Sequence, residues 1–125
     1  MRPEEKIHFA ICDYLRLQYP KVMFISESSG VRTSIGLASK LKKTRSNHVH
    51  ADLYVLQPVG KWSGLVLELK AKTIFKKDGS LLKNDHIEDQ FETLQTLRKI
   101  GYYASFACGF DEAKEIVDNY LHGNY

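Results

Sequence analysis

Apolar residues recur every three to four positions over 3–18, where Ile7, Ile11, Tyr14 and Leu15 form one stripe. That spacing predicts a helix with one buried face. Pro3 suits its first turn, Glu4 and Glu5 suit its positive end, and Pro20 closes it. Residues 21–26, with Val22, Met23, Phe24 and Ile25, predict a short buried strand, and 27–30 a turn. Residues 33–44 predict a helix carrying Leu37, Lys40, Leu41 and Lys43. The runs 51–57 (ADLYVLQ) and 64–70 (GLVLELK) read as strands, separated by a loop with Pro58 and Gly60 as breakers. Together they predict a hairpin. The lysine-rich stretch 73–84, with its Gly79-Ser80 turn, predicts a mobile loop. A helix over 86–100 turns Ile87, Phe91, Leu94, Leu97 and Ile100 inward and ends at Gly101. A strand over 102–108 and a helix over 111–121 complete the chain. The order α-β-α-β-β-α-β-α predicts an α/β fold, a small mixed sheet flanked by helices.

A length of 125 residues fits a single domain spanning 1–125 and allows a real core. No apolar run reaches the roughly 20 residues of a membrane span. The opening Met-Arg-Pro-Glu-Glu has no apolar leader. These features point to a cytoplasmic protein with no membrane partner. Cys12 and Cys108 sit far apart in apolar surroundings, without partners at zinc spacing, and read as reduced thiols.

The net charge of +3 conceals a division along the chain. Residues 1–30 hold four basic and four acidic side chains, and 31–84 hold eleven against three. Residues 85–125 hold three against eight. A basic middle suits a polyanion-facing surface, and it equally suits an unevenly charged solvated one.

Chemistry concentrates in the strand Leu65-Val66-Leu67-Glu68-Leu69-Lys70. Side chains alternate along a strand, so Glu68 and Lys70 share a face while Leu67 and Leu69 take the other. A hairpin joining 52 to 70 sets Asp52 beside them. Two converging carboxylates repel unless a cation bridges them, and hard oxygen ligands suit Mg²⁺ or Mn²⁺. A lysine next to such a pair can hold a water or offset charge developing on a phosphate. The same trio also fits a cross-strand charge pair with Asp52 as a strand cap. Glu4 lies nearly two turns before Ile11 and shares its stripe, whereas Glu5 points about 100° away. Gln90 follows the basic loop and can orient a lysine, a water or a phosphate. Lys40, Lys42, Lys43 and Arg45 on one side, with Lys72, Lys76, Lys77 and Lys83 on the other, are candidate phosphate contacts. His48 and His50 share a strand face but lack the further ligands of a zinc site, leaving His50 as a neighbour of Asp52. His8 and His86 read as surface residues or satisfied hydrogen-bond partners.

The ordered set Glu4, Asp52, Glu68-Leu69-Lys70 and Gln90 resembles the PD-(D/E)xK nuclease superfamily. More narrowly it resembles the VRR-NUC family in its small standalone form from phages and bacteria. The Ser29-Gly30-Val31-Arg32 turn, the run Leu97 to Tyr102 and the run Gly109 to Ala113 extend the likeness over nearly the whole chain. The resemblance implies a restriction-endonuclease-like core and a divalent metal, Mg²⁺ or Mn²⁺, with no organic cofactor. Asp52, Glu68 and the Leu69 carbonyl would bind the metal, Glu4 would complete the acidic set, Lys70 would be the catalytic lysine, and Gln90 would support the site. Arg32 and the lysines would meet DNA. The resemblance also implies a homodimer that cuts branched DNA such as four-way junctions. Flap- or sequence-directed cleavage, and an inert nucleic-acid-binding module, are the alternatives. Two positions depart from the family pattern: Ala51 replaces the usual proline before the first aspartate, and His8 replaces a glutamine of the first helix.

Overall fold

The computed structural model describes residues 2–27, 35–44, 46, 50–82 and 84–125. The elements are α1 (Pro3–Gln18), β1 (Phe24–Ser26), α2 (Ile35–Lys42), β2 (Leu53–Val55), β3 (Leu65–Lys70), α3 (Asp85–Lys99), β4 (Tyr103–Cys108) and α4 (Phe110–Leu121). They follow the order read from the sequence, with shorter strands. The four strands form one mixed sheet in the order β1-β2-β3-β4. The first two pairings are antiparallel and β3 runs parallel to β4. A parallel neighbour requires a crossover, and α3 supplies it. Among the described residues no helix is long and apolar enough to cross a membrane.

Helices cover both faces of the sheet. Ile11 and Leu15 of α1, with Ala113, Val117 and Tyr120 of α4, pack against Leu53, Val55, Leu65, Leu67 and Leu69. On the other face, Leu94 of α3 packs with Ala51, Val66, Ile74, Ala104 and Phe106. All six residues of β3 are buried, as expected for a central strand covered on both sides. Asp118 joins α4 to the N-terminal helix: the hydroxyls of Tyr14 and Tyr19 donate to its Oδ1 at 2.7 and 2.6 Å.

Three expectations change. Residues 21–26 do not form a buried strand. Only Phe24–Ser26 pair, and Met23 and Ile25 are 71% and 54% exposed, because β1 is the sheet edge and one of its faces is uncovered. The inward stripe of α3 is led by Gln90 and Leu94, while Phe91 and Ile100 face solvent. Counting apolar residues alone misplaces this stripe, since one of its buried members is an amide. Within the 73–84 stretch, where a loop is expected, residues 74–82 form a tight hairpin. Phe75 bridges Leu81, Leu82 N–H donates to Ile74 C=O, and Lys76 N–H donates to Ser80 C=O. Asp78 accepts from Ser80, Gly79 supplies a positive φ, and Ile74 anchors the base in the core.

Burial pushes the Asp118 carboxyl up, but hydrogen bonds from Tyr19, Tyr14 and Lys114 outweigh it and hold the group below its ordinary range. A depressed carboxylate contributes stability above its unfolded pKa and loses it as pH falls through the folded one. Asp118→Ala is expected to cost about 1–3 kcal/mol at neutral pH. In urea unfolding, the difference from wild type should shrink below about pH 4. An equal difference at pH 7 and pH 3 would show that the charge contributes nothing.

Candidate active site

The site forms where the β2–β3 ladder runs out. Asp52 precedes β2, and its backbone is held from both sides: its N–H donates to Leu67 C=O at 3.1 Å, and its C=O accepts from Glu27 N–H at 2.7 Å. One step further β2 has no partner left for β3. The Leu69 N–H meets the Asp52 side chain instead, donating to Oδ2 at 2.8 Å. A carboxylate thus stands in for the next backbone acceptor. The N–H and C=O of one strand residue point the same way, so the Leu69 carbonyl also turns toward this corner.

Glu68 and Lys70 occupy the face of β3 opposite Leu67 and Leu69, as alternation predicts. Asp52, Glu68, Lys70 and Gln90 are all buried. Gln90 reaches down from α3, and its Nε2 donates to Glu68 Oε1 at 2.8 Å. The other end of that amide, Oε1, is buried without a hydrogen-bond partner among the described residues. Lys70, at the strand's last position, lines a groove of about 710 Å³ with Arg2, Glu4, Lys72, Asn84 and His86. Among the described residues its ammonium forms no ion pair at salt-bridge distance.

Burial first, then the adjacent Asp52 charge and a hydrogen bond with it, push the Glu68 carboxyl up to about 10, with Lys70 only partly opposing them. Two buried acids competing for one charge, beside a bare carbonyl oxygen of Gln90, are a poor arrangement for the protein alone. They are a fitting one for a hard divalent cation, which accepts oxygen donors of this kind. Among the described residues no group of three or more His, Cys, Asp or Glu side chains gathers at metal-binding distance. The groups that could hold a cation here are the Asp52 and Glu68 carboxylates and the Leu69 backbone carbonyl. Glu4 stands on the groove rim, exposed, and its charge adds to the upward pressure on Glu68. It continues the stripe of His8, Ile11 and Leu15, but at the open end of α1 where the sheet no longer covers it. Glu5 is held by Arg2 at 3.0 Å.

The cationic residues divide. Lys72 lines the groove beside Lys70. Lys76 and Lys77 are exposed on the hairpin, and Lys40, Lys42 and Lys43 on and just after α2; none of these five lines it. Arg32, Arg45, His48 and Lys83, with the 28–30 turn, lie outside the described residues. His50 meets Glu27 and Ser46: its Nδ1 is 3.5 Å from Glu27 Oε2 and its Nε2 3.3 Å from Ser46 Oγ. His8 is buried and hydrogen-bonded to Ser26. Sequence reasoning missed Tyr54, whose hydroxyl accepts the Ala51 N–H at 3.0 Å. Strand alternation could have placed it on the face of Asp52. It also missed Arg2 and Asn84 of the groove, which carry no distinguishing spacing.

No protein-family model matches the chain, and no curated protein matches it. A solved structure described as a "VRR_NUC domain protein" superposes with a TM-score of 0.68 at 19% identity. The match covers 98% of this chain and 90% of that one. The chain therefore has the VRR-NUC fold, of the restriction-endonuclease-like kind.

Because the Glu68 carboxyl is raised on folding, its stability contribution is full below the unfolded pKa of about 4.3 and declines as pH rises toward 10. In chelator, Glu68→Gln is expected to melt several degrees above wild type at pH 8. The two curves should converge near pH 4.5. A variant that melts lower at pH 8 would show that Glu68 is held as a contented carboxylate.

Proposed function

We propose that this chain is a divalent-metal-dependent nuclease that hydrolyses phosphodiester bonds in DNA. The observation that carries this reading is the buried pair Asp52 and Glu68 at the end of the ladder, with Lys70 on the same strand opening into a groove. The shared fold with a VRR_NUC domain protein supports it.

Asp52, Glu68 and the Leu69 carbonyl would hold Mg²⁺ or Mn²⁺, with Glu4 adding negative charge from the rim. A bound divalent ion would supply a Lewis acid for the phosphoryl oxygens. The residues of the chain do the positioning. Leu69 N–H fixes one oxygen of Asp52, and the same carboxylate meets the Glu68 carboxyl. Gln90 fixes one oxygen of Glu68 in the same way. Lys70, which lines the groove, would orient the attacking water or offset charge growing on the phosphate. Lys72 extends that positive wall. Arg32, Lys40, Lys42, Lys43, Arg45, Lys76 and Lys77 would supply salt-dependent contacts to phosphates further along the DNA. Branched DNA is the substrate we favour. Two copies of the chain related by a two-fold axis would present two sites to a four-way junction of matching symmetry.

Labelled four-way junction, flap, single strand and linear duplex, each with Mg²⁺, Mn²⁺ or chelator, test the reading. Metal-dependent cutting is expected, strongest on the junction. Lys70→Ala and Asp52→Asn should each lower the rate by at least about 100-fold. Tight binding without cutting in any metal overturns the nuclease reading in favour of an inert binding module. Cutting of flaps, or of linear duplex at fixed sequences, overturns only the junction preference. Glu4→Gln is expected to slow cleavage more than Glu5→Gln, since Glu4 stands on the groove and Glu5 is paired with Arg2.

A further inference from the structure

The position of Asp52 depends on a bend in the chain immediately before it. β2 begins at Leu53 and Asp52 still shares the ladder, but at Ala51 the chain leaves the sheet. Ala51 is 1% exposed, so its N–H is cut off from water. A buried N–H without an acceptor costs about as much as a lost hydrogen bond. The Tyr54 hydroxyl meets it, at 3.0 Å, from three residues later. The ring reaches back along its own strand and closes the bend like a clasp.

The chemistry of Tyr54 fits this task. Burial raises its phenol pKa, the Ala51 N–H lowers it, and the charges of Glu27, Glu68 and Asp52 raise it again. A phenol hydroxyl keeps lone pairs with which to accept an N–H. Its side chain packs against the apolar cluster on the α3 face of the sheet. Removing the oxygen alone would leave that packing in place.

We propose that Tyr54 is a positioning residue for the metal site: by accepting the Ala51 N–H, its hydroxyl holds the bend that sets the Asp52 carboxylate against Leu69 and beside Glu68. The inference rests on the metal-dependent reading above and adds to it a residue outside the acid–lysine set. It also makes a specific chemical demand. What must be met is one buried donor, so deleting the donor should serve as well as supplying the acceptor. Proline has no N–H. Among the described residues no non-glycine residue has a positive φ, so Ala51 lies in the half of conformational space that proline uses.

The test is Mn²⁺ binding by calorimetry and by electron paramagnetic resonance on wild type, Tyr54→Phe, Ala51→Pro and the double variant. Melting curves check that each is folded. Tyr54→Phe is expected to lower Mn²⁺ affinity about tenfold, the loss usual when a partner of a metal ligand is removed. Its melting temperature should fall by no more than a few degrees. Ala51→Pro in the Tyr54→Phe background should restore most of the affinity, which a loss of general packing would not allow. Wild-type affinity in Tyr54→Phe overturns the inference alone, as does a folded double variant that binds no better than Tyr54→Phe. Absence of Mn²⁺ binding by the wild-type chain overturns both the inference and the metal-dependent reading.

Discussion

The hydrogen bond from Leu69 N–H to the Asp52 carboxylate marks the point where a β-ladder becomes a site. Antiparallel pairing between β2 and β3 is repetitive, and each rung asks the next residue for a backbone acceptor. At Asp52 the chain supplies a side chain instead, at 2.8 Å. A hydrogen bond to a charged acceptor is worth about 1.5–3 kcal/mol, more than the neutral backbone bond it replaces. It therefore ends the ladder without leaving the central strand unpaired. It also frees the preceding chain to bend away at Ala51, opening the corner that Glu68 and Lys70 face. The orientation of the Asp52 carboxylate follows from this substitution.

Closing that corner with α3 has a cost that Gln90 partly offsets. Two carboxylates under a helix lose their water, and desolvation outweighs the help Lys70 gives to Glu68. An apolar residue at position 90 would have left the Glu68 oxygen without a donor. The amide supplies that donor and leaves its own carbonyl oxygen unmet. The stability lost here is recovered elsewhere. The opposite face of the sheet has an apolar core built from α1 and α4, and the Asp118 network ties those helices together. A rigid layer on one side allows an unfavourable cluster on the other.

Much of the fold could be read from local patterns. α1 occupies the residues its stripe and caps predict, and β3 and β4 differ from expectation by a residue at one end. These elements are long, or fully buried, so their periodicity is strong. The errors fell where neighbours decide burial. The edge position of β1 exposes Met23 and Ile25. Ile74 turns a lysine-rich stretch into an anchored hairpin. Gln90 displaces Phe91 from the inward face of α3.

The sequence by itself determined which residues share a face. Alternation put Glu68 and Lys70 together because successive strand side chains must oppose each other, and the helical repeat put Glu4 in line with Ile11. Only the tertiary structure decided which shared faces are buried and what meets there. The strand register brought Asp52 to Leu69 across seventeen residues. The crossover of α3 brought Gln90 to Glu68 across twenty-two. The open end of α1 left Glu4 at the rim and not among the buried acids. Periodicity is a property of the local backbone, whereas burial and pairing depend on which distant segment occupies the adjoining space.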